Sequence, residues 1–190
     1  MPAPFLLDTN NYCLFFQYPK PRSYFHLTQK IKVGAEIAFY ISEITSMEIH
    51  SVLGKYRRGS PLQHQQCNRE IIAGSNTAWC SNTWISPLRK KMRTKVFRNI
   101  REMIFDIEAQ KGDVQATILK LEFASTEKAR ELLIKYADHY NLGSHDALIA
   151  GSLFVARETQ GLDLTLATSD RGLKAVLKEE SIPFFDPAIP

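Results

Sequence analysis

The sequence predicts an α/β protein, a three-layer sandwich in which a central, mostly parallel sheet is flanked by helices. Three observations point to it. Short apolar runs of strand type, Phe5-Leu6-Leu7, Ile37 to Ile41 and Leu162 to Ala167, are separated by segments whose apolar residues recur at helical spacing. One of those helices, opened by Gly143-Ser144, is apolar nearly all round from Ala147 to Val155, and such a helix is buried centrally. Strands that alternate with helices favour parallel pairing with both sheet faces covered, because each parallel connection needs a crossover.

Each element follows from local chemistry. Phe5-Leu6-Leu7 runs into Asp8-Thr9-Asn10-Asn11, a buried strand followed by a turn or helix cap, and Tyr12 to Phe16 begins a helix that Pro19 and Pro21 break. After the strand Ile37 to Ile41, Ser42 caps a helix that continues to about Tyr56 and closes near Gly59. Ser60 to Pro87 is polar, rich in glutamine and asparagine, and carries Trp79 and Trp84; its pattern fits a helix, a lid or a loop. Val96, Ile100, Ile104 and Ile107 mark the next helix, and Thr126 is a candidate cap for another that reaches about His139. Beyond the buried helix come a strand at Leu162 to Ala167, a helix at Asp170 to Glu179 and a short strand at Pro183-Phe184-Phe185. No internal repeat or linker divides the chain, which reads as one domain over 1–190.

Composition excludes several classes. With 190 residues, 44% hydrophobic and 11% aromatic, the chain is neither disordered nor collagen-like. Met1 to Leu7 lacks a basic n-region, and Leu148 to Ala156, the longest strongly apolar stretch, is about half of what a bilayer requires, so secretion and membrane insertion are not expected. Cys13, Cys67 and Cys80 are odd in number and show no C-x-x-C pair, which fits a reducing cytoplasm; His64 and Cys67 lack a second pair to complete a metal site. Neither phosphate-binding glycine motif occurs, and Asn10 stands where a haloacid-dehalogenase-like phosphatase needs its second aspartate.

The net charge of +4 is local in origin. Arg89, Lys90, Lys91, Arg93, Lys95, Arg98 and Arg101 fall in a stretch without acids, and removing these seven leaves 17 basic against 20 acidic residues. Such a run recruits polyanions, nucleic acid first, although a solvated helix face has the same composition.

Four acids carry the chemistry. Asp8 and Asp170 each follow a strand, and in open parallel sheets ligands bind outside the carboxyl ends of strands. Glu48 falls on a helical wheel among Ile44, Met47 and Val52, so the wheel points it inward, where a carboxylate needs a cation or a donor. Asp146 sits in the first turn of the buried helix, where the dipole favours negative charge. Singly, each also reads as a cap or a surface acid. As a set, clustered carboxylates persist when a cation neutralises them, and oxygen-only ligands favour Mg²⁺ or Mn²⁺, the ions suited to displacement at phosphorus.

These residues resemble the PIN-domain family, and within it the VapC-type toxin ribonucleases. The resemblance rests on Phe5-Leu6-Leu7-Asp8-Thr9-Asn10, Ile44-Thr45-Ser46-Met47-Glu48, Ser144-His145-Asp146-Ala147-Leu148-Ile149-Ala150 and Leu166-Ala167-Thr168-Ser169-Asp170, in that order, across roughly 4–56 and 124–187. It implies a PIN-like fold and an endoribonuclease in which Asp8, Glu48, Asp146 and Asp170 bind Mg²⁺ or Mn²⁺ and a metal-activated water cleaves RNA. It further implies that Thr9, Asn10, Thr168 and Ser169 support the ligands, that the chain forms a homodimer, and that a small antitoxin protein holds it inactive. The stretch between Glu48 and Asp146 is longer than expected for a compact member, so an insertion at about 60–100 is expected, carrying the basic run as an RNA-binding candidate. Within that insertion Trp79 and Trp84 fit either stacking on bases or anchoring a core, and His145 fits either a phosphate contact or a helix start. The competing reading is a PIN-like module that binds RNA or a protein without cutting.

Overall fold

The computed structural model describes residues 4–33, 36–60, 63–66, 70–73, 76–79, 83–86 and 88–189. In chain order, β1 (Phe5–Leu7) leads into a one-turn helix α1 (Thr9–Cys13), a 3-10 turn (Leu14–Phe16), α2 (Arg22–Ile31), β2 (Lys32–Val33), β3 (Glu36–Ser42) and α3 (Glu43–Arg58). Four short strands follow, β4 (Gln63–Gln66), β5 (Glu70–Ala73), β6 (Asn76–Trp79) and β7 (Thr83–Ser86). Then come α4 (Thr94–Glu108), β8 (Val114–Leu119), α5 (Phe123–Tyr136), α6 (Ser144–Thr159), β9 (Thr165–Ala167), α7 (Arg171–Glu179) and β10 (Phe184–Phe185). Two compact units result: residues 1–50 with 100–190, and residues 51–99.

The first unit holds a sheet in the order β10-β9-β1-β3-β8, all parallel, with β2 paired antiparallel to the start of β3. Leu7 sits beside Ile41 on one side and Ala167 on the other, so β1 is the centre of the sheet. Its two leucines are fully buried, as expected of a short strand covered on both faces. From β1 the chain winds outward through β3 to β8, then returns to build β9 and β10 on the opposite side. Between β1 and β9 the winding reverses. At that switch point the connections leave in opposite directions and open a crevice at the carboxyl ends of both strands.

Helix α6 is buried along Ala147 and from Ile149 to Ala156, as its unbroken apolar sequence predicts. It packs on α5, and a Cβ built at Gly151 lies 2.2 Å from the Ser125 carbonyl oxygen, so only glycine permits this approach. Leu132, Leu153, Leu164, Leu166 and Leu173 join them in the core.

Several boundaries differ from expectation. Pro21 starts α2 as its N-terminal flank, a position where a missing N–H costs nothing. Glu122, rather than Thr126, flanks the start of α5, while Gly143 flanks α6, which begins at Ser144. Strand β8 adds an element to those read from the sequence: Val114, Ala116 and Ile118 alternate with Gln115 and Thr117, and pairing fixes its register along Ile37 to Ser42 of β3. In the second unit the polar segment forms strands, β4 antiparallel to β7 and β5 antiparallel to β6. Cys67 and Cys80 and the side chains of His64, Trp79 and Trp84 lie outside the described residues. Among the described residues, no helix is long and apolar enough to cross a membrane.

Candidate active site

Asp8 emerges from β1 at the crevice. Its Oδ1 accepts the Asn11 N–H at 2.7 Å, which caps α1, and its own N–H donates to the Ala167 carbonyl at 3.2 Å. The residue is 4% exposed. Burial pushes its carboxyl up to about 6; the charge of Asp146 raises it further, while Thr168 and Asn11 oppose the rise. Asp170 is built the same way across the switch point. Its Oδ1 accepts the Leu173 N–H at 2.8 Å to cap α7, and its own N–H donates to Thr168 Oγ1 at 3.1 Å. Capping and the placement of an acid at a strand end are thus one device: the cap fixes the carboxylate at the mouth of the sheet.

Glu48 enters from α3. Its Oε2 accepts the Thr9 hydroxyl at 2.6 Å, and its Oε1 lies 3.7 Å from His145 Nδ1. The helical wheel overstated its burial. Its side chain is 29% exposed and Met47 is 57% exposed, because the buried stripe of α3 runs through Ile44, Thr45, Ile49 and Leu53. Glu48 sits at the edge of that stripe, held by Thr9 rather than sunk in the core. Asp146 projects from the first turn of α6. Burial raises its pKa most, the charges of Asp170 and Glu48 raise it further, and the Gly143 backbone and His145 offset part of this.

The four acids therefore form one electrostatic cluster: Asp8 feels Asp146, and Asp146 feels Asp170 and Glu48. Its donors are all oxygen and its nearby compensation is slight, which fits a hard divalent cation by donor type and by charge. Among the described residues, no three His, Cys, Asp or Glu side chains close into a ligating group. Like charges separate carboxylates, and Asp8 and Asp170 each have one oxygen turned onto a helix cap.

The supporting residues fall into two groups. Thr9 is buried and reaches Glu48, and Thr168, also buried, links Asp8 with the backbone of Asp170. Asn10 is exposed, and Ser169 donates to Asp186 Oδ1 at 2.7 Å, facing the C-terminal segment instead of the cluster. The basic run divides: Arg89, Lys90, Lys91, Arg93, Lys95 and Arg98 belong to residues 51–99, and Arg101 to the other unit.

Three features escaped sequence reasoning. Asn11 is 2% exposed with its Nδ2 atom unpaired, and its side chain lies close enough to Asp8 to lower that carboxyl. Cys13 is beside the cluster, its thiol pushed up to about 11 by burial and then by Asp8 and Glu48, so it stays protonated. Glu108 accepts the Ser46 hydroxyl at 3.0 Å and lies against Tyr12, its carboxyl raised by burial. The i to i+3 spacing of Asp8 and Asn11 was the one available signal.

No family model matches the chain, and no curated protein matches it in sequence. The fold is similar to that in the crystal structure of FitAcB from Neisseria gonorrhoeae, with a TM-score of 0.57 and 14% identity over 98% of this chain and 99% of that chain. At that identity the likeness is one of fold. With five parallel strands between two helical layers and the winding reversed beside β1, the chain has a PIN-like three-layer α/β fold.

Proposed function

We propose that this protein is a metal-dependent endoribonuclease that hydrolyses RNA phosphodiester bonds, with Asp8, Glu48, Asp146 and Asp170 as the residues that hold Mg²⁺ or Mn²⁺. The observation that supports the reading is that these four acids, from four separate elements, lie near enough to act on one another's charge, Asp146 on Asp8 and both Asp170 and Glu48 on Asp146. When bound, the ion supplies a Lewis acid that lowers the pKa of water and offsets charge at phosphorus. The chain's own residues do the rest. Thr9 orients Glu48 through its hydroxyl, Thr168 and Asn11 hold Asp8, and the caps of α1 and α7 fix Asp8 and Asp170 against the sheet. The PIN-like fold supports the assignment to a nuclease, and we extend it to the toxin of a toxin and antitoxin pair acting as a cytoplasmic homodimer.

The test is cleavage of a mixed cellular RNA pool by the purified protein with Mg²⁺, Mn²⁺ or EDTA, beside the Asp8→Asn and Asp146→Asn variants. Cutting that needs metal and is lost in both variants, with their fold intact, is the expected result; full activity in both overturns the site. The second reading, a module that binds RNA without cutting, draws on the open arrangement of the acids. It predicts RNA retention that ignores chelator and no cleavage of any RNA.

A further inference from the structure

Residues 51–99 hold ten Lys and Arg and one acid, whereas the remainder of the chain holds 14 and 19. Three of those cations, Lys55, Arg57 and Arg58, form the basic last turn of α3, more than thirty positions before the run that begins at Arg89. The structure joins the two clusters. Ser60 and Arg89 exchange two backbone hydrogen bonds of 2.8 Å each, and the Met92 N–H donates to the Tyr56 carbonyl at 2.9 Å. Arg57 turns back to tie the junction, donating to the Met92 carbonyl at 3.2 Å and to Thr94 Oγ1 at 3.1 Å. Gly59 makes the approach possible. Its φ of +70° suits glycine, and a Cβ there lies 2.8 Å from the Arg89 carbonyl oxygen and 3.0 Å from the Lys91 nitrogen.

At the centre of the junction is an aromatic ring. The Arg89 guanidinium stands 5.3 Å from the ring centroid of Tyr56, and Tyr56 nonetheless remains 48% exposed. Lys55, Arg58, Lys90, Lys91 and Arg93, on the two joined segments, are exposed. We propose that this junction, with the exposed ring of Tyr56 and the cations Lys55, Arg58, Lys90, Lys91 and Arg93 carried by the two joined segments, is a binding surface for single-stranded RNA. Cations follow the phosphate backbone, and an exposed ring backed by a guanidinium accepts the face of a base, which a duplex keeps stacked and inaccessible. An acidic peptide satisfies the charges and leaves the ring unused. The choice of RNA among single-stranded polyanions rests on the nuclease reading above; the surface itself does not depend on the acid cluster.

The experiment is fluorescence anisotropy of a labelled single-stranded RNA of about 16 nucleotides with the full-length protein in EDTA, where metal-dependent cutting is silent. Binding is expected, with log K falling linearly in log salt between about 50 and 200 mM. Tyr56→Ala should weaken it about tenfold while Tyr56→Phe retains it. Lys55→Ala with Arg58→Ala should lower the salt slope by about 1 to 2. Gly59→Ala, which forces the two segments apart, should weaken binding in a chain that circular dichroism shows to be folded. Absence of binding in EDTA, wild-type affinity in the Tyr56→Ala and Lys55→Ala/Arg58→Ala variants, or displacement by polyglutamate as readily as by unlabelled RNA would each overturn the proposal. A chain that cuts RNA without Tyr56-dependent binding loses this surface and keeps the nuclease; one that binds in EDTA and never cuts does the reverse.

Discussion

Asp8 is held at a cost. Its carboxyl is raised from 3.8 to about 6, chiefly by burial, so the folded state binds a proton more tightly than the unfolded one. The stability of the wild-type chain without metal therefore falls as pH rises from about 4 to about 6, a loss of about 3 kcal/mol at completion. Asp8→Asn removes the ionisable group and keeps the shape. The variant should be more stable than wild type at pH 7.5 by up to about 3 kcal/mol, with the difference vanishing below about pH 4; urea denaturation across pH measures it. A variant less stable than wild type at every pH contradicts the prediction. Asn11 belongs to the same scale. Its buried amide lies near Asp8 with Nδ2 unpaired, so Asn11→Ala should weaken Mn²⁺ binding about 10-fold, read by calorimetry. Asn10, exposed beside it, should tolerate alanine without change in that affinity.

At the scale of elements, the site depends on how α6 seats against α5, because α6 carries Asp146 in its first turn. Gly151 sets that distance. A methyl group there meets the Ser125 carbonyl at 2.2 Å, and a backbone atom within a packed helix pair has little room to move. Gly151→Ala should destabilise the chain by about 1 to 3 kcal/mol despite its better helix propensity, measured by the urea midpoint at constant m. Neutral or improved stability would show that the two helices slide apart freely. The short strands act at this scale too. Three residues of β1 suffice because both its neighbours are parallel strands and both its faces are covered, and Asp8 inherits its position from that arrangement.

On the scale of the molecule, the end of the chain is fastened to the site's own sheet. Asp186, past β10, accepts hydrogen bonds from Ser169, from Lys174 and from the Ala188 N–H. Burial raises its carboxyl, but Lys174 and Ser169 outweigh that and hold it below the usual carboxylate range. A depressed folded pKa contributes stability that is present above the unfolded value and lost as pH falls through the folded one. Asp186→Asn should therefore lower the melting temperature at neutral pH, and the difference from wild type should close in acid; a difference that persists at pH 2 would assign it to packing instead. The opposite charges of the two units, cationic in 51–99 and anionic elsewhere, fit the proposed RNA surface in the first and the proposed metal site in the second.

The sequence by itself determined the elements whose local code is strong: the buried strand of β1, the all-round apolar α6, and the caps of α1 and α7. Asp8 and Asp170 were legible because strand end, cap and acid coincide at one residue. Periodicity failed in the polar segment after Ser60, whose antiparallel strand pairs no hydrophobic pattern announces, whereas β8, in which Val114, Ala116 and Ile118 alternate with Gln115 and Thr117, carries a short strand pattern that pairing with β3 completes. The wheel placed Glu48 in the core because it weighs side-chain polarity, whereas Thr45, tied to Ser42, takes the buried place and moves Glu48 to the edge. Only the tertiary structure brought Glu48 to Thr9, and Lys55 and Arg58 to the run beginning at Arg89. Those approaches depend on backbone contacts at Gly59 and on chain reversal at the switch point, which are long-range geometric facts with no local signature in the residues they join.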